Sequence, residues 1–193
     1  MIKVIAFDFA DVIVEGPVSG WLKKNRSENT KADWHEYKQK AHLWDTGQMD
    51  SKAVYEFLSK LTGIDEEAIW KELYETAHLN VELVELIKRL KPSYKIAIFS
   101  NYISEQLKKL LVHHKIDKLF DEVIVSSEHG VKKPDPKFFE ALVTKAGVNK
   151  DEIFFTDDNL DNIEAASTFG IKAYRFTTVG KLIEDLQKEG INV

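Results

Sequence analysis

The sequence has no cysteine, which removes disulfides, thiolate metal sites and a cysteine nucleophile together. It has no apolar run long enough to span a bilayer. Its opening, MIKVIAFDF, meets an acid at the eighth residue and lacks the long apolar region of a signal peptide. It has no long lysine or arginine run and carries a net charge of -5, so nucleic acid and anionic membrane surfaces are poor partners. No internal repeat and no low-complexity linker divides it. With 44% hydrophobic and 31% charged residues, the 193-residue chain has an ordinary globular composition and length for one sizeable core, or a core with a smaller appendage. A soluble, cytoplasmic protein is expected. No heptad run chooses between a monomer and a homodimer.

What is present has two textures. Residues 1–8 and everything after about residue 80 alternate short β-branched runs with amphipathic helical stretches. IKVIAF (2–7), KIAIFS (95–100), EVIVSS (122–127), IFFT (153–156) and KAYRF (172–176) read as strands buried on both faces. VELVELIKRL, ISEQLKKLLVHH, PKFFEALVTKAG and LDNIEAASTFG read as helices, two of them closing on Gly147 and Gly170. Such alternation predicts an α/β fold, a doubly wound, Rossmann-like parallel sheet. From about 16 to 79 the texture is helical only. KADWHEYKQKAHLWDTG, DSKAVYEFLSKLTG and DEEAIWKELYETAH carry aromatic stripes, with Asp50 and Asp65 as helix starts. The expected division is a core of 1–15 and 80–193 with a helical cap, 16–79, inserted after the first strand. Ligands of an open parallel sheet sit at the carboxyl ends of the strands, so the insert should lie over the site as a lid.

The predicted strand ends present a carboxylate (Asp8), a hydroxyl (Ser100, followed by Asn101), a lysine (Lys133, in HGVKKPDP) and an acidic pair (Asp157, Asp158). Close carboxylates raise one another's pKa unless a cation lies between them. Oxygen-only donors favour Mg²⁺, which leaves room for a phosphate oxygen. The set suits phosphoryl transfer to a carboxylate nucleophile. Asp135 and Pro136 read as the cap and first residue of a helix.

This ordered set resembles the haloacid dehalogenase superfamily over nearly the whole chain: strand-end Asp8, the hydroxyl in FSN, the lysine in KKPDP and the acidic pair in FFTDDNLDNIEAASTFGI. The insert resembles that family's small helical cap. The closest texture is the branch of sugar-phosphate phosphatases and the phosphatase domain of some epoxide hydrolases. The resemblance implies a Mg²⁺-dependent phosphatase of a small phosphorylated metabolite. Asp8 would be nucleophile and metal ligand. The backbone carbonyl of Ala10 and the side chain of Asp158 would also ligate, with Asp157 ligating or holding a metal-bound water. Ser100 and the amide of Asn101 would bind phosphate, and Lys133 would neutralise charge.

One position departs from the pattern. Most phosphatases of the superfamily place an aspartate two residues after the nucleophile, to protonate the leaving oxygen and then deprotonate the attacking water. Here that residue is Ala10. Losing a general acid/base costs on the order of 10²–10⁴ in rate, least for groups that leave unaided. Asp11 is the nearest substitute, with Glu15 more remote. Three functions stay open: the phosphatase, a metal-free haloacid dehalogenase, and a non-catalytic phosphate-binding module. Trp21, Trp34, Trp44 and Trp70 are expected in the core of the insert, with Trp21, His42 or Trp44 as the residues turned toward substrate. His113, His114, Asp161 and Asn162 read as structural or surface residues, and His129 as solvated loop.

Overall fold

The computed structural model describes residues 1–25 and 31–193, without the side chains of 17, 19, 23 and 31–34; the expectation for the Trp34 side chain therefore lies outside what is described. Five parallel strands, β1 (Val4–Phe7), β2 (Lys95–Ser100), β3 (Glu122–Val125), β4 (Ile153–Asp157) and β5 (Lys172–Arg175), lie in the order β3-β2-β1-β4-β5. Order reverses beside β1, which makes the carboxyl end of β1 the crevice of the sheet. In register, Phe7 stands between Ile98 of β2 and Thr156 of β4, so Asp8 emerges between the ends of both neighbours.

Strand residues alternate between two cores, as a period of two requires. Val4, Ala6, Ala97, Phe99, Ile153 and Phe155 pack under α7 (Pro136–Ala146) and α8 (Leu160–Phe169). Ile5, Phe7, Ile96, Ile98 and Phe154 pack under α5 (Val81–Leu90), α6 (Ser104–His113) and α9 (Val179–Lys188). The helices start and stop where the sequence supplies caps. Asp135 accepts from the Lys137 N–H with Pro136 in the first turn, and Gly147 and Gly170 close α7 and α8 at positive φ.

Between β1 and α5 lie four helices: α1 (Pro17–Asn25), α2 (Lys31–Asp45), α3 (Ser51–Thr62) and α4 (Glu66–Thr76). Asp50 and Asp65 cap α3 and α4 as expected. Trp21, Leu22, Trp44, Val54, Tyr55, Leu58 and Ile69 form their common core. Two of the helices, α1 and α9, were not foreseen from periodicity. The strand expected over 122–127 stops at Val125. Ser126 and Ser127 turn instead into a single 3₁₀ turn, because their hydroxyls accept the backbone N–H groups of Tyr102 (3.1 Å) and Ser104 (2.9 Å).

That turn is where the insert meets the sheet domain most closely. Gly47, just after α2, has φ +71°, and a Cβ there would sit 2.2 Å from the Ser127 carbonyl oxygen. Gly63 shares the left-handed conformation, with φ +74°, but faces open space. Gly63→Ala is therefore expected to cost about 1 kcal/mol of backbone strain. Gly47→Ala should cost clearly more, because backbone must shift. On a chain of this size each kcal/mol lowers Tm by roughly 2–4 °C. Equal melting temperatures for the two variants would show that Gly47 and Ser127 are not in contact.

Candidate active site

β1 delivers Asp8 to the crevice, with its N–H bonded to the Thr156 carbonyl at 2.9 Å. β4 ends in Asp157 and passes directly to Asp158. Lys133 comes from the loop after β3 and is only 1% exposed. Its ammonium lies 3.0 Å from Asp8 Oδ1 and 2.6 Å from Asp157 Oδ2, and it donates to the Phe99 carbonyl at 2.8 Å. The neighbour Lys132 points elsewhere, to Asp45 of α2 at 2.8 Å. A buried ammonium shared by two buried carboxylates fixes the centre of the site.

Two asparagines hold this centre in place. The Asn101 side chain accepts from the Lys133 N–H (2.8 Å) and donates to the Lys133 carbonyl (3.0 Å), clamping the lysine's backbone. Asn162 was read as a surface or cap residue. It is instead 6% exposed, and its amide lies 3.1 and 3.0 Å from the two oxygens of Asp157. It sits one helical turn into α8, on the inward face, and that spacing is the signal that was available. Asp157 Oδ1 also accepts from the Asn159 N–H at 2.8 Å. With Lys133, Asn162 and Asn159 on its oxygens, Asp157 is an orienting group. Asn162→Leu should lower activity roughly 10–100-fold while the fold survives, as loss of an outer-shell partner does. Wild-type turnover in that variant would remove Asn162 from the machinery.

The electrostatics follow from burial. Burial is the largest influence on Asp8 and raises its pKa; Lys133 pulls it down, Asp157 pushes it up, and the balance is about 6. Burial opposes the Lys133 charge, but Asp8 and Asp157 outweigh it and hold the lysine above its ordinary value. Asp158, half-buried, is raised by burial first, then by Asp157 and Asp11. Asp8 Oδ1 is buried with the Lys133 ammonium as its ion-pair partner, and the buried Ser100 hydroxyl lies beside Asp8.

The residue after Ala10 does not take its place. Asp11 is exposed, sits at φ +59°, and its Oδ1 accepts from the Gly16 N–H at 2.8 Å, so its carboxylate closes the loop after β1. Ala10, half-buried, borders a cavity of about 150 Å³ between the insert and the sheet. Trp44 borders it too, against Tyr37 at 5.3 Å between ring centroids. Trp21 does not: its indole N–H donates to Glu72 at 2.8 Å inside the core of the insert. His42 is exposed and not part of the lining. Of the cavity's polar residues, Asn101 was expected at the site; Asp45 and Gln106 were not foreseen as wall residues, since helical spacing alone does not say which face of α2 or α6 turns inward.

The model of the haloacid dehalogenase-like hydrolase family matches residues 2–170. The chain belongs to this family. It is 29% identical to an (S)-2-haloacid dehalogenase of Burkholderia cepacia over 51% of this chain and 43% of that one. It is 27% identical to a phosphoglycolate phosphatase of Aliivibrio fischeri over 62% and 54%. The chain thus spans about half the length of these curated relatives. A HAD family enzyme of Bacteroides thetaiotaomicron, solved as an aspartate-to-alanine mutant with magnesium and inorganic phosphate, superposes with a TM-score of 0.74 over 93% of this chain and 96% of that one, at 18% identity. That likeness establishes the shared α/β fold.

Whether this family member's own residues fit a divalent cation can be tested on their chemistry. Asp8, Asp157 and Asp158 each bring an oxygen within 4.8 Å of the others. All three donors are hard oxygens, as Mg²⁺ prefers. Lys133 supplies one positive charge against three carboxylates, and both Asp8 and Asp158 have raised pKa values. Asp8 and Asp158 face an excess of negative charge that a cation would relieve. The residues fit. No helix among the described residues is long and apolar enough to cross a membrane.

Proposed function

We propose that the chain is a Mg²⁺-dependent phosphomonoesterase that forms an acyl phosphate on Asp8 and favours leaving groups that depart without a proton. Asp8, Asp158 and the backbone carbonyl of Ala10 would hold the ion. When bound, it would offset charge between the carboxylates and the phosphoryl oxygens. A carboxylate oxygen of Asp8 attacks phosphorus, and the bond from phosphorus to the ester oxygen breaks with its electrons on the leaving group. Lys133 balances the negative charge gathered beside Asp8. The Ser100 hydroxyl and the Asn101 N–H donate to phosphoryl oxygens. Water then attacks phosphorus and gives up a proton to a phosphoryl oxygen; the bond from phosphorus to Asp8 breaks with its electrons on the carboxylate, which frees Asp8 and inorganic phosphate.

The observation that carries this reading is the buried Asp8–Lys133–Asp157 cluster with Asp158 beside it. Metal-free dehalogenation would need the nucleophile and the lysine, but it gives the crowding of Asp158 no purpose. The test is phosphate release from p-nitrophenyl phosphate with Mg²⁺ and with EDTA, beside chloride release from 2-chloropropionate. Phosphate only with Mg²⁺, and no chloride, is expected. Chloride release without metal would overturn the phosphatase reading.

A further inference from the structure

We propose that the cavity beside Ala10 is the leaving-group pocket and that it takes one neutral aromatic ring bearing a hydrogen-bond acceptor. The inference rests on the phosphatase reading and adds a substrate class to it. Its first support is size. A cavity of about 150 Å³ is on the scale that takes a single benzene ring.

The second support is the wall. Tyr37, Trp44 and Tyr102 line the cavity with Val18, Val54 and Ile103, so a flat apolar guest meets faces and edges of rings. Burial holds the Tyr37 and Tyr102 hydroxyls well above the ordinary tyrosine value, so both stay neutral.

The third support is an unused donor. Gln106 lines the cavity, is 4% exposed, and its Nε2 has no hydrogen-bond partner. Leaving a buried amide unpaired is costly, and a guest acceptor removes that cost. Gln106 also borders a second void of about 10 Å³, which is at the lower limit for one water molecule and holds no ligand.

The fourth support is charge. Among the described residues Asp45 is the only carboxylate that lines the cavity, and its partner Lys132 does not line it. A ring carrying its own carboxylate would meet Asp45 and be repelled. The pocket and the missing acid then agree. Ala10 borders a space shaped for an aryl group, and aryl oxides are the oxygen leaving groups least in need of a proton.

The test uses the full chain with Mg²⁺ and three esters: phenyl, 4-acetylphenyl and 4-carboxyphenyl phosphate. Ratios of kcat/KM between esters, compared across variants, cancel the intrinsic reactivity of each phenol. In Gln106→Leu the preference for the acetyl ester over the phenyl ester should fall about tenfold, the worth of one hydrogen bond. Gln106→Glu, which keeps the shape, should lose the same preference, so a Leu variant that fails to fold leaves the test intact. Asp45→Asn should raise the carboxyphenyl ester about tenfold relative to phenyl. Unchanged ratios in the Gln106 and Asp45 variants would overturn the proposal, as would faster turnover of glucose 1-phosphate than of any aryl ester. If no ester yields phosphate, the phosphatase reading itself has failed, a distinct result.

Discussion

Asp8→Asn is expected to release no phosphate above background and yet to melt higher than the parent chain in EDTA at pH 7.5. The first half follows from chemistry. A carboxamide is no nucleophile toward phosphorus, and removing a nucleophile costs on the order of 10⁶ in turnover where it has been measured. The second half follows from the raised pKa. Asp8 goes from 3.8 to about 6 on folding. A carboxyl raised in this way costs stability as pH rises through that window, because the folded chain binds the proton more tightly than the unfolded one. The cost is absent below pH 3.8 and complete above about 6. Two pKa units correspond to roughly 3 kcal/mol. Asparagine keeps the shape without the charge, and Lys133 retains Asp157 at 2.6 Å and the Phe99 carbonyl at 2.8 Å. The gain should be several degrees at pH 7.5 and should vanish near pH 4. A variant that melts lower at pH 7.5 would mean that the Lys133 attraction outweighs burial. Saturating Mg²⁺ should stabilise the parent more than the variant, since binding to the folded state alone adds stability.

The sheet was legible because its strands are short, apolar and separated by amphipathic segments, which leaves one architecture. Asp8, Ser100 and Asp157 were legible because each ends an apolar run, and the ends of parallel strands converge; Lys133, in the loop after β3, was picked out by KKPDP. What escaped depends on facing. Asn162 is one position from the exposed Asp161, and only the rotation of α8 turns one inward and the other out. Trp21 and Trp44 are both aromatic residues of the insert, and packing alone sends one to Glu72 and the other to the cavity wall. Lys132 and Lys133 were told apart by their distance from Pro134, but nothing local announced that Lys132 would reach across to Asp45 of α2. Long-range pairings of this kind need the packed chain, since they carry no periodicity.

Ala10→Asp tests the position where the expected second carboxylate is missing. Ala10 borders the cavity and is half-buried, so a carboxylate built there enters the space where the leaving oxygen would lie. Asp11 cannot stand in for it, because the left-handed turn at φ +59° directs its carboxylate to the Gly16 N–H. Benzyl and phenyl phosphate make the comparison clean, since both put one ring in the pocket. Benzyl phosphate must expel an alkoxide, which needs a proton; phenyl phosphate expels a phenoxide, which needs one far less. Restoring a general acid should accelerate benzyl phosphate on the order of 10²–10⁴-fold, and phenyl phosphate by much less. The benzyl ester's rate should also fall at high pH, where the new acid is ionised. Equal acceleration of both esters would point to improved metal or phosphate binding rather than proton transfer. No acceleration of either would mean that another group already supplies the proton, and Asp45, a carboxylate on the cavity wall, would be the residue to replace next.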